Sequence, residues 1–222
     1  MTKKLPEANR PDDDGVIGIP PAAGSSDGDE HLREIALSSD WILRGNFLQV
    51  KRDRVALPDG REATREYIRH PGAAVIVPLF DDGRVLLERQ YRYPLGRVVL
   101  EFPAGKLDPD ESPLRCAVRE LFEETGYRAR EWAYAGVLHN AIAYSDERIE
   151  IFFARGLIAG ERKLDDGEFL DLLPVAEDEL DRMAFDGRVT DAKTLIGLQW
   201  LQRWRAGAWP LDWMPAEPAS SR

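Results

Sequence analysis

Glu120, Glu123 and Glu124 constrain this 222-residue chain more than any other group of residues. They fall at i, i+3 and i+4 within Gly105–Tyr127, GKLDPDESPLRCAVRELFEETGY. A helix there stacks three carboxylates on one face, and like charges so spaced cost roughly 0.2–0.5 kcal/mol per pair if nothing neutralises them. A hard divalent cation, Mg2+ or Mn2+, removes that cost. Ser112-Pro113 supplies an N-cap and a proline at the first helical position, and Gly126 a C-cap, so a helix is predicted up to about Thr125. On its wheel Leu114, Ala117, Val118 and Leu121 share one side while the glutamates hold a separate arc. The apolar side is therefore expected on a sheet and the acids in a cleft. Cys116 lies near the acidic arc, where a small packing residue is expected rather than a soft metal ligand.

Composition narrows the partners. The formal net charge of −10 argues against nucleic acid, which wants a basic face. An anionic phosphate substrate would then need a cation or a local arginine cluster. With 43% hydrophobic and 32% charged residues the chain reads as soluble and globular. It has no apolar run near the ~20 residues of a membrane span. The start, MTKKLPEANR, has no apolar stretch of a secretory leader, and the single cysteine fits a reducing cytoplasm.

Along the chain, residues 1–32 form an acidic segment rich in Asp, Gly, Pro and Ser and are expected to be disordered, with VIGIP (Val16–Pro20) as its one apolar patch. Residues 33–70 alternate apolar and polar, with Pro58-Asp59-Gly60 as a hairpin turn. Strands are predicted near 40–45, 47–56 and 62–69. That sheet is too small to stand alone and needs the main domain or a partner subunit to pack on. The main domain is expected over 71–207. There Ala73–Phe80 reads as a buried central strand, Arg84–Arg92 as its neighbour and VVLEFPAG (Val98–Gly105) as a third strand. After the central helix, strands are expected at 131–138, 147–155 and 169–173, and helices at 176–183 and 191–205. Residues 208–222 read as a loose tail.

Gly105, five residues, Glu111, seven residues, then Arg119-Glu120-Leu121-Phe122-Glu123-Glu124-Thr125-Gly126-Tyr127 resembles the Nudix box of hydrolases that act on nucleoside diphosphates linked to another moiety. Only Tyr127 departs, where the family usually has an aliphatic residue. The resemblance implies an α/β fold, a Nudix α/β/α sandwich with a mixed central sheet, joined by a small N-terminal antiparallel sheet. It also implies Glu120 and Glu124 as the main Mg2+ ligands (Mn2+ being the alternative ion), with Glu123 assisting and the Ala104 carbonyl completing the shell. Glu111 and Arg119 would organise loop and helix through an ion pair, with Gly105 and Gly126 as the motif's glycines.

Outside the box, Arg89–Pro94 (RQYRYP), Leu100–Asp108 (LEFPAGKLD) and Ser145–Ala154 (SDERIEIFFA) resemble the ADP-ribose pyrophosphatase branch. Its members exchange their N-terminal sheets across a homodimer. The resemblance gives Arg92 a substrate phosphate, with Arg89 and Glu101 as further pocket residues. It places the general base on the loop Leu164–Asp171, where Glu168 is favoured over Asp165 and Asp166. The branch's marker proline is missing from LHNAIAYSDE (Leu138–Glu147), and His139, Asn140 or Tyr144 are offered as pocket residues in its place. Hydrolysis of ADP-ribose to AMP and ribose 5-phosphate is the leading expectation. The alternatives are other nucleotide sugars such as GDP-mannose or ADP-glucose, or a non-catalytic nucleotide sensor.

Overall fold

The computed structural model describes residues 28–216. The expected disorder of residues 1–27, VIGIP included, and the tail beyond 216 lie outside the described residues. The described chain divides into two compact units, residues 28–70 with 141–147, and residues 71–140 with 148–216.

In the first unit β1 (Ile35–Arg44), β2 (Gln49–Ala56) and β3 (Glu62–Arg69) form an antiparallel sheet in that order. β1 starts five residues earlier than the alternation predicted. Ile35, Leu37, Trp41, Ile42 and Leu43 on β1, with Phe47 and Leu48 in the following turn, are all exposed. The segment 141–147 joins this unit through Asp146, whose carboxylate accepts from the His70 amide at 2.8 Å and pairs with Arg69.

The second unit is built on β4 (Ala73–Leu79), all of whose residues are buried. Then come β5 (Val85–Arg92), β6 (Arg97–Glu101), β7 (Ala104–Lys106), α1 (Pro113–Thr125), β8 (Tyr127–Arg128), β9 (Glu131–His139), β10 (Arg148–Arg155) and β11 (Ile158–Ala159). β12 (Leu170–Val175), α2 (Glu177–Phe185), α3 (Ala192–Arg205) and β13 (Trp213–Pro215) complete it. The mixed sheet runs β12-β5-β4-β10-β9-β13, with β10 parallel to β4 and the other pairs antiparallel. Strand alternation divides the core. Ala74, Ile76, Phe152 and Ala154 pack with Cys116, Ala117 and Leu121 of α1, whereas Val75, Val77, Ile151 and Phe153 pack with Leu180, Met183, Leu198 and Leu201 of α2 and α3. The result is the expected α/β/α sandwich.

Three expectations need correction. VVLEFPAG is not one strand but two, broken at Phe102-Pro103. Pro103 has no N–H to give a ladder, and its carbonyl instead accepts from the Ile76 amide at 2.8 Å. The break carries the chain from pairing β5 (β6) to pairing β4 (β7). Val118 does not join the apolar side of α1, being 41% exposed, and buried Cys116 takes that place. The segment from 208 is not all loose, since β13 pairs β9 and Trp213 packs against Trp204 at 5.7 Å between ring centroids.

Phe102 is held from two sides by α3. Its amide donates to Thr194 Oγ1 at 2.8 Å, and its ring lies so close to Gly197 that a Cβ there would sit 2.9 Å from Cε2. Gly→Ala in a helix interior ordinarily gains about 1 kcal/mol. Here Gly197→Ala is expected to lose about 1–3 kcal/mol through overpacking, read as a lower urea midpoint. A raised midpoint would contradict this packing.

Candidate active site

The site is built on α1 and the loop before it. The Ser112 hydroxyl accepts from the Arg115 amide, Pro113 opens the helix, and Gly126 closes it in the left-handed region at φ 76°. At that closure a Cβ would lie 2.7 Å from the Gly160 carbonyl, so the spot demands glycine for space as well as for φ. Tyr127 plugs the core edge-on to Phe80, with centroids 5.5 Å apart. Gly105 serves the helix at a distance: a Cβ there would overlap the Glu120 carboxylate, which lies against the bare backbone.

Arg119 holds the acids together. Its guanidinium grips Glu111 through Nε–Oε1 at 3.0 Å and Nη2–Oε2 at 2.7 Å. It also reaches Glu120 Oε1 at 2.8 Å, Glu123 Oε2 at 3.1 Å and the Lys106 carbonyl at 3.0 Å. The hydrogen bond to Glu111, with the charge of Glu120, raises the Arg119 pKa. Glu111 also accepts from the Asp108 amide, which ties the loop to the helix. Cys116 is a packing residue beneath that loop. Its thiol is directed at the Gly105 and Lys106 carbonyls, and burial pushes its pKa up.

Glu124 is different. It is 4% exposed, and among the described residues its Oε2 accepts from the Ala104 amide alone, at 3.1 Å. Burial raises its pKa well above the usual range, and the charges of Glu88, Glu120 and Glu168 add to the rise. Burial likewise lifts Glu120 to about 7. Of the three acids weighed on the Leu164–Asp171 loop, Glu168 alone enters the electrostatics of this group, acting on Glu88, Glu120 and Glu124. It accepts from Gln90 Nε2 at 3.2 Å and from the Asp165 amide.

On β5 the side chains of Glu88, Gln90 and Arg92 share the inner face. Arg92 clasps Glu101 bidentately, at 2.7 and 2.8 Å. Burial opposes the charge on Glu101, but Arg92 and Lys193 together hold its carboxyl below the ordinary range. Lys193 in turn bonds Asp191, the N-cap of α3. Arg89 is not brought into this group. It stands on the other face and pairs with Asp171 at 3.2 Å. His139 is exposed at the end of β9, opposite Arg148.

The sequence reading missed Glu88 and Lys193. Glu88 ends an apolar run, VLLE, and is 2% exposed, with no hydrogen-bond partner for Oε1 among the described residues. In the structure it stands in register opposite Glu101, which the sequence alone does not reveal. Burial lifts Glu88 to about 8, and the charges of Glu101 and Glu168 add to the rise. The donor set around Glu124 is all oxygen and short of positive charge, a chemistry that suits a hard divalent cation. Among the described residues no three acidic, His or Cys side chains already converge closely enough to hold one, because Glu120 is turned to Arg119.

Set beside known proteins, residues 69–195 match the NUDIX domain and residues 34–68 the nucleoside diphosphate sugar hydrolase N-terminal domain. The chain belongs to the Nudix family of hydrolases. It is 34% identical over 173 residues to an ADP-ribose pyrophosphatase of Bacillus subtilis, covering 77% of this chain and 94% of that one. It is 30% identical over 185 residues to a GDP-mannose pyrophosphatase of Yersinia enterocolitica, covering 78% and 94%. A crystal structure of an ADP compounds hydrolase superposes with a TM-score of 0.72 at 25% identity, covering 79% of this chain and 95% of that one.

The raised carboxyls fix a sign for pH dependence. The folded protein keeps protons on Glu120 and Glu88 up to about 7 and 8, whereas ordinary carboxyls release theirs near 4.5. Stability in EDTA therefore falls as pH rises through that window. The melting temperature is expected to drop between about pH 5 and pH 8 and to level off above, and Glu88→Gln to flatten the drop. An unchanged slope in that variant would remove Glu88 from the account.

Proposed function

We propose that this Nudix hydrolase is a Mg2+-dependent pyrophosphohydrolase of nucleoside diphosphate sugars, converting ADP-ribose to AMP and ribose 5-phosphate. The observation that carries the reading is the buried carboxylate group around Glu124, short of positive charge and within electrostatic reach of Arg92. The two domain matches, one named for nucleoside diphosphate sugar hydrolases, support the substrate class.

Glu120 and Glu124 are the principal ligands in this reading, with Glu123 and the Ala104 carbonyl as helpers. The cation would neutralise the diphosphate and acidify a water. Arg92 offers a planar fork for a phosphate, held in place by Glu101. Glu168 takes the proton from water as its oxygen joins one phosphorus, and the bridging P–O bond breaks to leave two monophosphates. Glu168→Gln is expected to lower kcat about 100- to 10,000-fold, and Glu120→Gln and Glu124→Gln to cut it steeply with the fold intact. Near-normal rates in both helix variants would sink the metal assignment. A panel of ADP-ribose, ADP-glucose and GDP-mannose, ranked by kcat/KM with Mg2+ and with Mn2+, decides the sugar. Binding without turnover of any of them would make the chain a nucleotide sensor.

The unit holding β1–β3 leaves a row of apolar side chains in water, and a homodimer that covers them is part of the same reading. Sedimentation at micromolar concentration is expected to give twice the chain mass, and a monomer would contradict it. Among the described residues no helix is long and apolar enough to cross a membrane. A cytoplasmic location completes the reading.

A further inference from the structure

Glu88 has no role in the site as its family resemblance describes it, yet its position needs an explanation. It lies at the inner end of an apolar run, 2% exposed, and among the described residues its Oε1 has no hydrogen-bond partner. A buried carboxylate without a donor costs several kcal/mol unless it is neutralised. The nearby cations are already committed: Arg92 bonds both oxygens of Glu101, and Lys193 bonds Glu101 and Asp191. The other charges that act on Glu88 are the carboxylates Glu101 and Glu168, while Glu88 itself acts on Glu124. Acids thus crowd Glu88, and the two cations that act on it, Arg92 and Lys193, spend their hydrogen bonds on other carboxylates.

We propose that Glu88 contributes a further carboxylate to the divalent cation that Glu120 and Glu124 would hold. The inference rests on the metal-dependent reading above. It assigns the cation a ligand on β5 that lies outside the Gly105–Tyr127 stretch. Groups that only orient a metal ligand typically carry about 10- to 100-fold in metal affinity, so a ligand on the cation itself is expected to carry at least that.

The test is Mn2+ binding to the full chain without substrate, followed by the electron paramagnetic resonance of free Mn2+, for wild type, Glu88→Gln, Glu88→Met and Glu124→Gln. Both Glu88 variants are expected to weaken Mn2+ binding by at least about 10- to 100-fold. Without metal they should melt at or above the wild-type temperature, because a buried unpartnered acid has been removed. Wild-type Mn2+ affinity in either Glu88 variant overturns the assignment. So does failure of both variants to fold, which would make Glu88 a structural residue. If Glu124→Gln loses Mn2+ while the Glu88 variants keep it, the inference fails and the metal-dependent reading stands. If wild type itself takes up no Mn2+, both fall.

Discussion

Carboxylates repel one another, and this structure depends on how it contains that repulsion. Arg119 is the main device. One guanidinium serves Glu111, Glu120 and Glu123 and still reaches the Lys106 carbonyl, so helix and preceding loop are tied by a single side chain. It acts as an internal counterion, and α1 can form with its acidic arc intact before any external ion arrives. Glu124 and Glu88 lie beyond its reach and carry the unrelieved part of the charge. The site is therefore split into a half neutralised by Arg119 and a half that, in the proposed reading, a cation would neutralise.

A second ionic cluster stands beside the first and is closed. Glu101 is buried and takes Arg92 and Lys193 together, and Lys193 is also fixed by Asp191. Buried pairs of this kind add little net stability over apolar packing but are costly to break halfway. Their value here is orientation: α3 begins at Asp191, so the start of a helix sets where the Arg92 fork points.

Much of the architecture was legible because its signals are local. The cap residues Ser112 and Gly126 fixed both ends of α1, and the apolar run at Ala73–Phe80 marked the central strand. What escaped was decided by tertiary contacts. Val118 fits the apolar arc by spacing, yet the sheet contacts the helix along Cys116, Ala117 and Leu121 instead. Pro103 was a local sign of the break, but Thr194 and Gly197, which hold Phe102 beside it, lie about 90 residues away in sequence. Glu88 drew no notice in the sequence, because what marks it is its burial and its register against Glu101. Trp213 looked like tail because its strand partner, Ala133, lies far away in the chain.

The sole cysteine has a use that its chemistry does not advertise. Cys116 is fully enclosed beneath β7, with its thiol turned to the Gly105 and Lys106 carbonyls. A thiol reagent can reach it only when α1 lifts from that strand, a local opening of the kind that native proteins undergo continually. The chain thus carries its own timer: the rate at which its one thiol is alkylated measures how often the helix bearing the glutamates departs from the sheet.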